Sequence, residues 1–171
     1  MMIKINRLTR GDVLNILPNI RSADISECEL TSGRSIDEIL EHADSTTESY
    51  AASINRRVIA LFGVNIYQGR ALAWMIGTDE LTAKKHWMSV VRISKRYIQY
   101  FIHKYGILTN YVCMQNKKAV RFLQCMNARF GDVEYNIKEN KFKQFWLGER
   151  YVQYDGGIAG INSGFGSGKC G

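Results

Sequence analysis

Asn116-Lys117-Lys118-Ala119-Val120-Arg121 is the stretch whose residue types and spacing best suit chemistry. An asparagine at a helix start accepts hydrogen bonds from first-turn N–H groups. Cations in the turn that follows would sit where the helix dipole and unpaired N–H groups already attract anions. The same residues equally describe a capped helix with a solvated basic face. Lys84 and Lys85 repeat the theme at the start of a longer helical pattern, just after Gly77-Thr78-Asp79-Glu80. Other candidates are weaker. Cys113 closes a predicted strand, but no histidine lies close in sequence to activate it, and a buried cysteine usually packs as a small hydrophobe. Gly164-Phe165-Gly166-Ser167-Gly168-Lys169 resembles a phosphate loop, yet the first glycine is missing at the required distance and Cys170 replaces the magnesium-binding hydroxyl. His42, His86 and His103 do not join Cys28, Cys113, Cys125 or Cys170 at metal-ligand spacing, so no metal site is expected.

The elements that must position these residues follow from periodicity. Ile3 to Leu8 alternates and reads as a strand, Thr9 caps a short helix that stops before Pro18, and Ser35-Ile36-Asp37-Glu38 is a capping box opening a second helix. Tyr50 to Ile54, Val58 to Val64 and Ala71 to Ile76 read as three antiparallel strands. From about Thr82 the period becomes helical, with Trp87, Val90, Val91, Tyr97, Ile98, Phe101 and Tyr105 on one face, expected as core, until Gly106 closes the helix. Leu108 to Cys113 is the next strand, Asn116 caps the next helix, and Val133 to Lys138 with Phe142 to Leu147 form a hairpin around Glu139-Asn140. A strand, a long helix and a strand make a βαβ unit with parallel strands. Its two helix starts are expected beside each other at one sheet edge, a candidate site for a phosphorylated ligand such as coenzyme A.

Composition sets the wider limits. The 171 residues, 46% hydrophobic, fit one folded unit over 1–150, followed by a glycine-rich tail over 151–171. No apolar run is long enough to cross a bilayer and the first ten residues carry no export pattern, so a protein made in the cytoplasm with reduced cysteines is expected. Residues 1–55 hold five Lys/Arg against nine Asp/Glu, whereas residues 56–150 hold seventeen against six. The basic half would attract a phosphorylated cofactor, DNA or an acidic protein, or simply be solvated.

This element order resembles the GNAT (Gcn5-related N-acetyltransferase) superfamily over residues 3 to 147. Asn116-Lys117-Lys118-Ala119, followed by Arg121-Phe122-Leu123, is similar to that family's Asn-x-x-Ala motif. Asn110-Tyr111-Val112, Arg121-Phe122-Leu123 and Phe142-Lys143-Gln144-Phe145 bring the chain closest to the small GNAT-like internal virion proteins of podophages. The resemblance implies an α/β GNAT-like acyl-CoA N-acyltransferase fold with a mixed, mostly antiparallel central sheet flanked by helices. If coenzyme A binding is retained, it implies cofactor contacts at Ile76, Gly77, Lys84, Lys85, Asn116, Lys118 and Arg121.

Two departures cut against chemistry. The pyrophosphate loop of the family, Gln/Arg-x-x-Gly-x-Gly/Ala, is here Gly77 to Lys85 with one early glycine and the acids Asp79 and Glu80. The family's proton-donating tyrosine falls on Leu123, which cannot donate, so efficient chemistry would need Tyr111 or Tyr135 to substitute. The expectation is therefore a phage virion-associated structural or assembly protein with a decayed cofactor site, no catalytic residue and no bound cofactor. Its expected partners are portal, core or tail components, in part through 155–171, with DNA as a further partner of the basic half and no membrane. The alternative is an acetyl-CoA-dependent N-acetyltransferase.

Overall fold

The computed structural model describes residues 2–148. The expected tail, its proposed partner-binding stretch and the phosphate-loop-like segment lie outside the described residues. Along the chain run β1 (Lys4–Arg7), α1 (Arg10–Ile16), α2 (Ser22–Ser32), α3 (Ile36–Leu40), β2 (Glu48–Ile54), β3 (Arg57–Tyr67) and β4 (Arg70–Gly77). Then come α4 (Lys84–Tyr105), β5 (Leu108–Cys113), α5 (Lys117–Cys125), β6 (Arg129–Ile137) and β7 (Asn140–Leu147). The strands form one sheet in the order β1-β2-β3-β4-β5-β7-β6, antiparallel everywhere except between β4 and β5. This is the mixed α/β architecture expected from the sequence.

Side-chain alternation divides the strands between two cores. Ala52, Ala60, Phe62, Ala73 and Met75 meet Val90 and Phe101 of α4 and Phe122 and Leu123 of α5. Ala51, Leu61, Trp74 and Ile76 meet Val13 and Ile16 of α1 and Ile36 and Leu40 of α3. Both capping boxes form: the hydroxyls of Thr9 and Ser35 accept from the N–H groups of Asp12 and Glu38, whose carboxylates accept in return. Of the aromatic face of α4, Phe101 is buried, while Trp87, Tyr97 and Tyr105 are half-buried around the core.

Several boundaries differ from expectation. α2 is an additional helix, ended by Gly33 in the left-handed region at φ 68°. Its buried residue is an acid, Asp24, so it carries no apolar stripe to betray it. α4 begins at Lys84, because Asp79–Thr82 forms a 3-10 turn first. β6 starts at Arg129, and the turn into β7 is made by Lys138 and Glu139, both at positive φ. The starts of α4 and α5 lie past the carboxyl ends of β4 and β5, two central strands, and not at a sheet edge.

Glu48, 1% exposed at the start of β2, ties this strand to β1 and α4. Its carboxylate accepts from the hydroxyls of Tyr50, Tyr100 and Tyr105 and pairs with Lys104 at 2.8 Å and Arg7 at 3.1 Å. Burial pushes its pKa up, but the donors, Lys104 first, outweigh that and hold it at about 2.

Where β3 pairs with β2 opposite Ser49, Gly63 has no room for a side chain: a β-carbon would lie 2.1 Å from the Glu48 carbonyl oxygen and 2.9 Å from Ser49 Cα. Both obstacles are backbone. Gly63→Ala is therefore expected to destabilise the fold by about 3 kcal/mol or more, read as a lower urea midpoint. An unchanged midpoint would mean that the two strands are not packed this closely.

Candidate functional site

The parallel pair at the centre of the sheet is short. β4 and β5 are in register only at Ala71 with Leu108 and Leu72 with Thr109, after which the strands diverge into a fork. At its base Asn110 acts as a clasp, its Nδ2 donating to the Ala73 carbonyl at 2.9 Å. A cavity of about 190 Å³ opens there, with Trp74, Asn110, Tyr111, Asn116, Ser94 and Phe122 among its lining residues. The loop after β4 leads into α4 and the turn after β5 into α5, so the N-termini of both helices converge near the fork's tips. Edge-on contact between Trp87 and Phe122, ring centroids 6.3 Å apart, holds the two helices together.

Strand-end N–H groups and helix starts create positive potential at this point. α2 supplies the matching negative charge. Asp24 Oδ2 accepts from Gly77 N at 2.9 Å and from the Arg21 guanidinium at 2.7 and 3.0 Å, while its Oδ1 accepts from Asn116 Nδ2 at 3.2 Å. Glu27 Oε1 accepts from Cys113 N at 2.9 Å and its Oε2 from Asn116 Nδ2 at 2.9 Å. The last residue of each fork strand thus gives its N–H to a carboxylate of the same helix. Arg21 and Asp24 are 6% and 5% exposed, a buried ion pair held by further hydrogen bonds. Glu27 is half-buried with its carboxylate turned inwards. Burial dominates there and raises its pKa to about 7, with Asp24 adding to the rise, against the lowering hydrogen bonds from Cys113 and Asn116.

The residues singled out from sequence are only partly brought together. Asn116 is 6% exposed and caps α5 as expected, its Oδ1 accepting from Ala119 N at 3.2 Å. Gly77 ends β4 with both backbone groups in use, its carbonyl accepting from Arg21 N at 3.0 Å. Ile76 is fully buried and faces α1 and α3, away from the two helix starts. Lys84, Lys85 and Arg121 are exposed. Lys118 pairs at 2.6 Å with Asp79, whose pKa that contact lowers. Leu123 packs in the core. Tyr111 stacks edge-on against Tyr135 at 5.4 Å, and burial, then Tyr135, raises its pKa to about 12. Cys113 is buried, which raises its thiol pKa, and its Sγ lies 3.3 Å from Gln115 Oε1. Among the described residues Cys28, Cys113 and Cys125 are free thiols, and no helix is long and apolar enough to cross a membrane. Arg21, Asp24 and Glu27 were not foreseen; the spacing of three between the two acids, which places them on one helix face, was the available signal.

The fold defined by this forked sheet and its paired helix starts is that of the GNAT acetyltransferases. Over 90% of this chain it matches the ribosomal-protein-S18-alanine N-acetyltransferase from Escherichia coli, 98% of which is covered, with a TM-score of 0.63 at 11% identity. Spermidine N-acetyltransferase from Vibrio cholerae, solved with CoA and spermine, matches at a TM-score of 0.57 and 17% identity, covering 85% of this chain and 94% of that one. No curated protein matches in sequence. A family model does: residues 51–136 match the family described as Bacteriophage T7, probable scaffold protein Gp13, and the chain belongs to that family.

Glu27 makes the site's chemistry testable by pH. Its carboxyl holds a proton more tightly when folded, at about 7, than at its ordinary value of 4.5. The stability it contributes is complete below about pH 4.5 and lost as pH rises through about 7. Urea unfolding between these limits should show a decline with a contribution from Glu27 of about 1–3 kcal/mol, and Glu27→Gln should remove that part of the slope. Equal slopes in the two proteins would place the carboxyl in solvent.

Proposed function

We propose that this protein is a phage virion-associated structural or assembly protein, in which a GNAT-like fold has lost its cofactor and serves as a rigid adaptor. The observation that carries the reading is the occupation of the fork's tips by Asp24 and Glu27. The two carboxyl groups already satisfy the N–H groups at the ends of β4 and β5, which leaves those groups nothing to offer an anionic cofactor. Asp79 engages Lys118, one of the cations that a phosphate would otherwise need. Leucine at 123, buried in the core, offers no proton to a departing thiolate. Membership of a phage scaffold family supports partners among the portal, core or tail components of a particle, and a location in the virion after synthesis in the host cytoplasm.

A second reading, an acetyl-CoA-dependent N-acetyltransferase, is favoured by the cavity in the fork. Cofactor contacts would then come from Gly77, Lys84, Lys85, Asn116, Lys118 and Arg121, and the proton from Tyr111, which lines the cavity and is kept protonated at neutral pH, or from Tyr135 beside it.

Calorimetric titration of acetyl-CoA and desulfo-CoA separates the two. The adaptor reading expects no binding at millimolar ligand, whereas micromolar binding, weakened by Asn116→Ala, together with saturable thiol release on adding an amine, would overturn it. Phage carrying a disrupted gene should yield particles of altered composition or infectivity; unchanged particles would remove the virion role.

A further inference from the structure

The helical layer formed by α4 and α5 is charged in one sign only. Neither helix contains an aspartate or glutamate. On α4, Lys84, Lys85, Arg92, Lys95 and Arg96 are exposed, and on α5 Lys117 and Arg121 are exposed. Among the described residues none of these seven is in an ion pair: Lys104 takes Glu48, Lys118 takes Asp79, Arg57 takes Glu80 and Arg21 takes Asp24. Positions 84, 88, 92, 95, 96 and 99 fall on one face at spacings of three and four, all of them exposed. The cations from Lys84 to Arg96 extend over about 18 Å of helix axis, a length along which duplex DNA presents roughly ten phosphates.

We propose that this face docks on the phosphate backbone of double-stranded nucleic acid without reading its sequence. The composition selects this partner over an acidic protein. Protein interfaces are built around apolar and aromatic centres and are depleted in lysine. Here lysine and arginine hold the centre, and Met88, 69% exposed, is the single large aliphatic side chain standing out from α4. The opposite layer fixes the orientation: Glu29 on α2, Asp37 on α3, and Glu41 and Asp44 just beyond it are exposed carboxylates that a polyanion would repel. Nothing in this inference depends on whether coenzyme A binds in the fork.

Fluorescence anisotropy of the full chain with a duplex of about 25 base pairs and arbitrary sequence tests it. Binding at about 50 mM salt is expected to weaken as salt rises, with a log–log slope of about −4 to −6 as that many contacts release counterions. The triple variant Arg92→Gln, Lys95→Gln, Arg96→Gln should lose at least roughly tenfold in affinity and reduce the slope by about 2 to 3. Arg10→Gln with Arg34→Gln, on the other layer, should leave both almost unchanged. Absence of binding at low salt would overturn the proposal, as would equal losses in the two variants, which would make net charge the cause. Displacement of the duplex by polyglutamate at matched charge would overturn it in favour of an acidic protein partner.

Discussion

One buried carboxylate joins three elements of the fold. Asp24 holds Arg21 of its own helix approach, the last amide of β4 and the side chain that caps α5. Strands that diverge leave their facing N–H groups unpaired, and a buried unpaired N–H is costly. In a fold that binds an extended anionic cofactor, the ligand can satisfy such groups. Here the requirement is met from within the chain, and α2 must lie where it does for that to happen. The 3-10 turn after β4 carries Asp79 and Glu80, and Asp79 reaches across to Lys118 of α5.

The same arrangement explains how the molecule divides its charge. Acidic residues concentrate in the first third, whose helices cover one face of the sheet, and cations concentrate on the two helices that cover the other. The crossover makes this separation possible. α4 and α5 both leave the carboxyl ends of central strands and pack into one apolar core, so their outward faces form a continuous layer. The family match over 51–136 takes in this layer and both fork strands, but not α2.

Local chemistry was legible in the sequence where the signal was itself local. The caps at Thr9 and Asn116, the box at Ser35 and the strand from Leu108 to Cys113 each depend on neighbours within a few residues, and each forms as read. α2 escaped because Asp24 is its buried residue, and periodicity analysis counts apolar side chains. The fork escaped for another reason: where two parallel strands separate is decided by what lies between them, and Asp24 reaches Gly77 across 53 residues of chain. Glu48 was hidden likewise, since its donors at Tyr100, Lys104 and Tyr105 lie more than fifty residues away.

The two register pairs between β4 and β5 also set how the domain would yield under load. On one side stand β1 to β4, on the other β5, β7 and β6, each plate laced by long antiparallel ladders. Between them the backbone pairs at only two positions, and the other ties are side chains, namely the hydrogen bonds of Asn110, Asp24 and Glu27 and the core shared beneath α4 and α5. Such a seam is the compliant line of the sheet. A pull that separates the plates would part it there first, amide by amide, while both ladders stayed closed.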